Sequence, residues 1–167
     1  MTRIAYDVSL VMQGNAPTCW MACAAMVMGY KDRQSVPQTA ARVQGGFDPQ
    51  VMSAPWDEVE RSLTLLGFVN TSSSAADEGW ILGILQARGP IILLHYCQGF
   101  PYHFGRVVTL PVGSTHAVVL TGVDTERHKT CFSNPWGTRN TWVDSDTIAA
   151  AIRRVSGERH NPISYLP

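Results

Sequence analysis

The stretch that most constrains the fold is CWMACAAMVMG, residues 19–29. Four of its side chains recur at the i, i+3, i+4 and i+7 spacing of one helix face: Trp20, Cys23, Ala24 and Val27. The remaining positions are also apolar, and a helix that is apolar on every side is typically covered by the rest of the protein. The loop before it, residues 14–18 (GNAPT), supplies a suitable helix entry. The sequence therefore predicts a central, buried helix whose first residue is Cys19.

Helix-like segments dominate the first part of the chain, and strand-like segments dominate the later part. Capping and termination signals predict three further helices, at residues 37–43, 53–67 and 77–88. Runs of β-branched and aromatic residues between turn residues predict strands at 91–96, 106–110, 116–123, 130–133 and 141–143. A short strand or extended arm is also predicted at 4–11. Asp144 or Ser145 is suited to begin a last helix through Arg154.

This order of elements predicts an α+β protein in which a helical part packs on an antiparallel sheet. The chain has 167 residues, which is typical of one domain and long enough to bury a core without disulfides. We therefore expect a single domain over residues 1–167, with a helical half at about 13–90 and a sheet half at about 91–167.

Charge and hydropathy give no indication of a nucleic-acid or membrane partner. Thirteen basic residues balance thirteen acidic ones, so the basic excess of nucleic-acid-binding domains is missing. The N-terminus, MTRIAYDVSL, lacks the continuous apolar stretch of a signal peptide, and residues 19–30 are too short to span a bilayer. We expect a chain made in the cytoplasm without a cleaved signal peptide. Secretion, or delivery into another cell by a specialised system, stays open.

The cysteine pattern favours reduced thiols and no metal site. The four cysteines form no CxxC pair and no zinc-ribbon spacing. His95, Cys97 and His103 match no specific metal-site spacing, so we expect neither a metal nor a cofactor. The segment 98–106, QGFPYHFGR, fits either a loop beside an active site or an ordinary surface hairpin.

Cys19 has two interpretations. A free cysteine is most often a buried core residue. At a helix N-terminus, however, unpaired N–H groups and the helix dipole favour a thiolate, which is a strong nucleophile. Such a nucleophile is helped by an imidazole that protonates the leaving group, and that imidazole needs an orienting residue. A catalytic interpretation therefore requires two more residues from elsewhere in the fold.

His116 and Asn134 are the candidates for those two residues. His116 begins the strand-like run HAVVLTGVD, and Asn134 lies in CFSNPWG. A hairpin that turns at residues 125–128 pairs positions whose numbers sum to roughly 253, which leaves His116 and Asn134 about three positions out of register. A bulge or a diagonal contact would bring them together. Asp124, on the same strand as His116, is the alternative orienting residue.

Gln13 is the candidate for stabilising negative charge in the transition state. Its side-chain amide can donate a hydrogen bond to an oxyanion. The backbone N–H of Cys19, at the start of the helix, is a natural second donor. A donor on the loop before the nucleophile is where such an oxyanion hole needs one.

The combined pattern resembles the papain-like cysteine proteases. The motifs are Gln-x5-Cys-Trp, a His followed by small and branched apolar residues, and Asn-Pro-Trp-Gly. The family order of Gln, Cys, His and Asn is matched by Gln13, Cys19, His116 and Asn134. The resemblance implies that Trp136 shields the His–Asn pair from water, and it leads us to expect Trp20 and Thr115 beside the site.

The compact length and the CWMACAAMV helix are most similar to the small bacterial branch of that family. This branch includes effector proteases delivered by plant pathogens and is similar to the bacteriocin-processing peptidases. Its third site residue is often Asp in an Asp-Pro context, whereas this chain has Asn134. The papain signature Cys-Gly-[Ser/Ala]-Cys-[Trp/Tyr] is replaced by Ala-Pro-Thr-Cys-Trp. The resemblance therefore implies a trimmed, reduced, bacterial type rather than a secreted papain.

Three functions follow from these observations. The first is a cysteine peptidase that cleaves amide bonds through a thioester, as an effector or toxin domain acting on a protein or peptide substrate. The second is a Cys–His amidase or deamidase acting on peptidoglycan or on protein side chains. The third is a papain-like module without activity that binds a partner. A dedicated immunity or inhibitor protein is conceivable for the first function, but no sequence feature indicates one.

Overall fold

The computed structural model describes residues 2–13, 18–32, 55–102, 106–107 and 112–167. Within these ranges the chain forms four helices: α1 (Cys19–Asp32), α2 (Trp56–Leu65), α3 (Glu78–Arg88) and α4 (Ser145–Gly157). The same ranges contain nine strands: β1 (Arg3–Ala5), β2 (Val69–Thr71), β3 (Ile91–Tyr96), β4 (Pro101–Tyr102), β5 (Arg106–Val107), β6 (Thr115–Asp124), β7 (Lys129–Asn134), β8 (Thr138–Asp144) and β9 (Ile163–Tyr165). None of the helices in the described ranges has the length and apolar character needed to cross a membrane.

Seven of these strands form one antiparallel sheet. Its order is β2-β9-β3-β6-β7-β8, and β1 pairs with the far end of β6. The other two strands, β4 and β5, form a separate two-stranded ribbon. Strand β6 is buried from His116 to Asp124, so it is the central strand around which the protein is organised.

The helices cover the two faces of the sheet. On one face, α1 and α2 pack against side chains such as Ile92, Leu94, Ala117 and Val119. On the other face, α3 and α4 pack against the alternate positions Ile91, Leu93, Val118 and Leu120. This alternation follows from the two-residue period of a strand, which sends successive side chains to opposite faces. The predicted α+β class, with helices packed on an antiparallel sheet, is confirmed.

Helix α1 is the buried helix that the sequence predicts, and it runs a few residues further than expected. Every residue from Trp20 to Gly29 is buried. It packs against β6 and β3 within the hydrophobic core on this face of the sheet, which explains why an apolar surface on all sides is stable here. Helix α3 begins as predicted, because the Asp77 carboxylate accepts a hydrogen bond from the backbone N–H of Trp80.

Some element boundaries differ from the predictions. The strand or extended arm expected at 4–11 is a strand only over Arg3–Ala5. There β1 pairs with the last three residues of β6. Strands β2 and β9 were not predicted; they are three residues long and so carry little pattern. The sheet therefore also draws strands from the N-terminal half of the chain. The helix expected at 37–43, the cap at Ser53 and residues 108–110 of a predicted strand lie outside the described residues.

Close contact between β1 and β6 depends on a glycine. A Cβ atom placed on Gly122 would lie 2.4 Å from the carbonyl oxygen of Ile4. No real side chain tolerates that distance from backbone, so only glycine allows β1 to pair at this end of β6.

The β6–β7 hairpin sets the register on which the site depends. At the turn, Asp124 pairs with Lys129 and Val123 with Thr130, so the predicted register is confirmed there. Between Leu120 and Gly122 the register shifts by one residue. This β-bulge shifts β7 by one position relative to the first half of β6, which reduces the expected offset between His116 and Asn134.

Candidate active site

With the bulge, His116 and Asn134 are two positions out of register instead of three, and a diagonal contact joins them. Nε2 of the His116 imidazole lies 2.8 Å from Oδ1 of Asn134. Both residues are buried, and they lie near the end of the β6–β7 hairpin that is opposite its turn. Oδ1 also accepts a hydrogen bond from the backbone N–H of Trp136 at 3.0 Å. Since this N–H can only donate, the amide oxygen must face it, and Nε2 of His116 carries the proton that Oδ1 accepts.

Trp136 covers the His116 ring. The two rings stack with their centroids 4.0 Å apart and their planes 24° from parallel. The indole therefore removes one face of the imidazole from water, as the family resemblance implies. An aromatic face at this distance also favours an imidazolium over a neutral ring.

Cys19 is the first residue of α1, and its thiol lies against β6. The backbone N–H groups of Ala117 and Trp20 lie close enough to favour the charged form of the thiol. Ala117 directly follows His116 in β6, so the thiol contacts the backbone of the segment that carries the histidine. Cys19 is partly exposed, whereas Cys23, Cys97 and Cys131 are buried, and all four are free thiols.

Burial opposes charge on both groups. It raises the pKa of the Cys19 thiol to about 11, while the N–H groups of Ala117 and Trp20 act in the opposite direction. It lowers the pKa of the His116 imidazole to about 4, while the hydrogen bond with Asn134 acts in the opposite direction. Each group alone is therefore uncharged at neutral pH. A thiolate–imidazolium pair forms only where the mutual attraction of the two charges exceeds both burial costs.

Gln13 is tied to both parts of the site by its backbone. Its N–H donates to the carbonyl oxygen of Pro135 at 3.0 Å, between Asn134 and Trp136. Its carbonyl oxygen accepts a hydrogen bond from the hydroxyl of Thr18, the residue before Cys19, at 3.2 Å. These two bonds place Gln13 between the start of α1 and the turn after β7.

Asp124, the alternative orienting residue, lies at the other end of the hairpin. Its carboxylate accepts hydrogen bonds from the backbone N–H groups of Glu126 and Arg127. Along an extended strand it is roughly 25 Å from His116, which is too far for contact. The structure therefore brings Asn134, and not Asp124, to the histidine.

Trp20 and Thr115 are the other two residues that the sequence analysis expects beside the site. Trp20 follows Cys19 in α1 and is buried in the core on that face of the sheet. Thr115 begins β6 and is paired with Tyr96 of β3. Among the described residues no group of His, Cys, Asp and Glu side chains is arranged to hold a metal ion, and His103 lies outside those residues.

Two residues of the site region were not identified from the sequence. His95 is fully buried beside His116, and Tyr102 is fully buried against the rings of both His116 and Trp136. For Tyr102 a signal was present in the aromatic segment 98–106, which fitted either a loop beside the active site or an ordinary surface hairpin. The pairing of β3 with β6 was needed to connect them to the site.

Comparison with known families decides what kind of protein this is. A family model described as the papain-like cysteine protease AvrRpt2, Peptidase_C70, matches residues 2–149. The chain belongs to this family. It is a papain-like cysteine protease, and hence a hydrolase.

Solved structures show the same fold for this Peptidase_C70 chain. A C39-like peptidase from Bacillus anthracis superimposes with a TM-score of 0.64 at 12% identity, over 100% of this chain and 98% of that one. Procathepsin L 3 from the larval midgut of Tenebrio molitor gives 0.60 at 11% identity, over 99% and 69%. The double glycine motif protease of an AMS/PCAT transporter, solved with a leader peptide, gives 0.52 at 19% identity, over 99% and 94%. No curated protein sequence matches the chain.

Proposed function

We propose that this cysteine peptidase cleaves peptide bonds through a thioester on Cys19, with His116 as its acid and base. Asn134 orients the imidazole, and Gln13 stabilises the oxyanion. The observation that carries the proposal is the 2.8 Å hydrogen bond between His116 and Asn134, one residue from the N–H that contacts the Cys19 thiol. Because Nε2 of His116 donates its hydrogen bond to Asn134, Nδ1 is the ring nitrogen that can exchange a proton with the thiol.

Acylation uses each of these groups once. The Cys19 sulfur attacks the substrate carbonyl carbon, and its proton moves to Nδ1 of His116. The carbonyl electron pair moves onto oxygen, where the Gln13 amide and the Cys19 N–H donate hydrogen bonds. The tetrahedral intermediate then collapses to a thioester. The amine leaves with the proton from His116.

Deacylation repeats the sequence with water as the nucleophile. His116 accepts a proton from water while the oxygen attacks the thioester carbonyl. Collapse of the second tetrahedral intermediate breaks the carbon–sulfur bond, and His116 returns the proton to sulfur. The products are a carboxylic acid and the free thiol, so no oxidant, metal or cofactor is consumed.

We further propose that the substrate is a protein or peptide of another cell, so that the chain acts as an effector or toxin domain. The resemblance of its helix and length to the small bacterial branch supports this role. That role would require a route of delivery from the producing cell and is compatible with a dedicated immunity or inhibitor protein.

The first test of the mechanism is alkylation of Cys19 by iodoacetamide near pH 6, mapped by mass spectrometry. An ordinary thiol has a pKa of about 8.5 and reacts slowly there. We expect rapid and selective labelling of Cys19, which the substitution His116→Ala abolishes. Cys23, Cys97 and Cys131 serve as internal controls because they are buried. Labelling of Cys19 that is unchanged in His116→Ala would contradict the proposed pair and favour a binding module without activity.

A second experiment separates the peptidase from the amidase and deamidase. Wild-type protein is incubated with a denatured protein mixture, with peptidoglycan fragments and with glutamine-containing peptides. New N-termini in the protein mixture, with no ammonia release, are expected for a peptidase. Ammonia without chain cleavage would indicate a deamidase, and release from peptidoglycan fragments alone would indicate an amidase.

A further inference from the structure

A second histidine lies directly beside the site. His95 of β3 pairs with His116 of β6 across the antiparallel ladder, so the two side chains point to the same face of the sheet. Their ring centroids are 6.1 Å apart and their planes are nearly perpendicular, at 85°. His95 has no exposed surface, and burial lowers its pKa to about 3. It is therefore a neutral imidazole at neutral pH.

A tight turn folds Tyr102 back over this histidine. The backbone N–H of Cys97 donates to Ser114, and the N–H of Phe100 donates to the carbonyl of Cys97. Phe100 stacks on one side of the His95 ring, with centroids 3.8 Å apart. The Tyr102 hydroxyl contacts the same ring, 3.2 Å from Nε2 and 3.3 Å from Nδ1. The hydroxyl is also hydrogen-bonded to the side chain of Cys97.

The hydrogen bonds of His95 assign its tautomer. Nδ1 lies 3.0 Å from the backbone carbonyl oxygen of Tyr96, which can only accept. In the neutral ring Nδ1 therefore carries the proton, and Nε2 carries the free lone pair. The Tyr102 hydroxyl lies almost equally far from both nitrogens and also contacts Cys97, so it is held beside the ring as a whole.

The ring of Tyr102 in turn contacts the proposed catalytic pair. It meets the His116 ring with centroids 5.6 Å apart at 75°, and the Trp136 ring with centroids 4.8 Å apart. Asn134 fixes one edge of the His116 ring and Trp136 covers one face. Tyr102 supplies a third contact, so the imidazole is held from three directions.

Packing alone does not account for the two polar residues. Burying an imidazole and a phenol costs free energy unless each finds a partner, and two apolar rings would fill the same space without that cost. What the polar pair adds is a fixed orientation for the Tyr102 ring, because its hydroxyl is held by polar contacts with the His95 ring and the Cys97 side chain.

We propose that Tyr102 and His95 act together as positioning residues for His116. The contact between the Tyr102 hydroxyl and the His95 ring fixes the Tyr102 ring, which confines the His116 imidazole between Asn134 and Trp136. The orientation of His116 matters for catalysis only if the proposed function is right, so in this respect the proposal rests on it. The confinement of the His116 ring can be measured without any substrate.

The first measurement is the NMR spectrum of the His116 ring in protein labelled with ¹⁵N-histidine. In the wild type we expect one sharp set of ring signals with the proton on Nε2. Tyr102→Phe keeps the ring and removes the hydroxyl, and we expect its His116 signals to broaden or double. Tyr6→Phe is the matched control, because the Tyr6 hydroxyl donates to the backbone carbonyl of Leu85, away from the site. His116 signals that stay as sharp in Tyr102→Phe as in Tyr6→Phe would overturn the proposal.

The second measurement is the rate of Cys19 alkylation near pH 6, taken below the melting temperature of every variant. We expect Tyr102→Phe and His95→Phe each to lower this rate by about two- to tenfold, the effect of losing one net hydrogen bond. Because the two residues act as a unit, the double variant should lose no more than either single variant. His95→Gln retains a polar side chain that can accept from the hydroxyl, so it should restore part of the rate and also test the idea if His95→Phe does not fold.

The two proposals fail in different ways. If wild-type Cys19 is not selectively alkylated, the proposed function is wrong, and the NMR comparison still decides whether Tyr102 confines His116. If wild-type Cys19 is selectively alkylated but the effects of Tyr102→Phe and His95→Phe simply multiply in the double variant, the positioning pair is wrong and the catalytic pair stands.

Discussion

The β6–β7 hairpin has two ends that carry the same kinds of residue and differ in almost everything else. One end holds His116 and Asn134, both buried and joined by a 2.8 Å hydrogen bond. The other end holds Asp124, which binds the backbone of the turn, and His128, whose side chain is 81% exposed. A histidine and a side-chain oxygen are available at both ends, so residue type does not separate them.

The difference lies in what surrounds the two ends. At the buried end, a stacked indole excludes water from the imidazole, and the N-terminus of α1 brings a thiol to the adjacent backbone. At the turn, the carboxylate is used by backbone N–H groups, and His128 faces Glu78 at 3.3 Å in solvent. Electrostatic effects are strong only where water is excluded, so only the buried end can perturb a proton transfer substantially.

The largest effect is expected when alanine substitutions of the two histidines are compared for their catalytic efficiency. His116→Ala should lower kcat/KM toward a peptide substrate by a factor of roughly 10² or more, since it removes the acid and base. His128→Ala should leave kcat/KM within about twofold, as for most exposed surface positions. The measurement is the initial rate of peptide cleavage by both variants at the same concentration of folded protein. Equal rates in the two variants would show that the buried end is not the catalytic one.

The next comparison uses the two side-chain oxygens. Asn134→Ala leaves Nε2 of His116 without its acceptor and frees the ring to rotate, so we expect kcat to fall by roughly a hundredfold. Asp124→Ala should instead cost about 1 kcal/mol of stability through the lost turn hydrogen bonds, with kcat unchanged. Kinetics combined with denaturant unfolding measures both quantities. A loss of activity in Asp124→Ala, without a loss of folded protein, would restore Asp124 as the orienting residue.

The buried end of this hairpin could be found from the sequence because its parts are local. Cys19 follows a helix-entry loop, His116 begins a strand, and Asn134 precedes a Pro-Trp-Gly turn. The register of a short hairpin then limits how far apart the last two can lie. This geometry required a bulge or a diagonal contact, and the structure uses both, but the position of the bulge between Leu120 and Gly122 was not visible in the residue pattern.

His95 and Tyr102 could not be found in this way because their role depends on long-range pairing. His95 meets His116 only because β3 lies next to β6 in the sheet, and a single sequence does not state the strand order. Strands β2 and β9 could not be predicted for the same reason. They are three residues long, and pairing with neighbouring strands stabilises them although their sequences carry no clear strand pattern.

The burial of two histidines predicts how stability changes with acid. Burial lowers the pKa of His116 to about 4 and of His95 to about 3, from an ordinary value of 6.5. At a pH between the ordinary histidine pKa and the lowered one, the unfolded chain binds protons that the folded chain excludes. Stability therefore falls as pH falls, by about 1.4 kcal/mol per pH unit for each histidine. Urea unfolding from pH 7 to pH 4 should show a smaller slope in His95→Gln than in wild type. An unchanged slope would mean that His95 is not buried as a neutral ring.

The smallest expected effect is the most specific, because it changes the charge at the buried end and keeps its shape. In Asn134→Asp, the carboxylate can accept the same two hydrogen bonds from His116 and from the backbone of Trp136, and its negative charge favours an imidazolium. The pKa of His116 should therefore rise. Asn134→Ala removes a contact that raises this pKa, so there it should fall. The NMR titration of the His116 ring measures both.

The change in kcat should have the same electrostatic cause as the change in the pKa of His116, but it should be small. Nδ2 of Asn134 is buried and has no hydrogen-bond partner among the described residues. A second carboxylate oxygen at that place would also lack a donor, and this cost offsets part of the gain from the charge. We expect kcat of Asn134→Asp to stay within about tenfold of wild type, with the acid limb of its pH profile moved to higher pH. A pKa that moves in the same direction in Asn134→Asp and Asn134→Ala would show that the polarity of residue 134, and not its hydrogen bond, sets the proton affinity of His116.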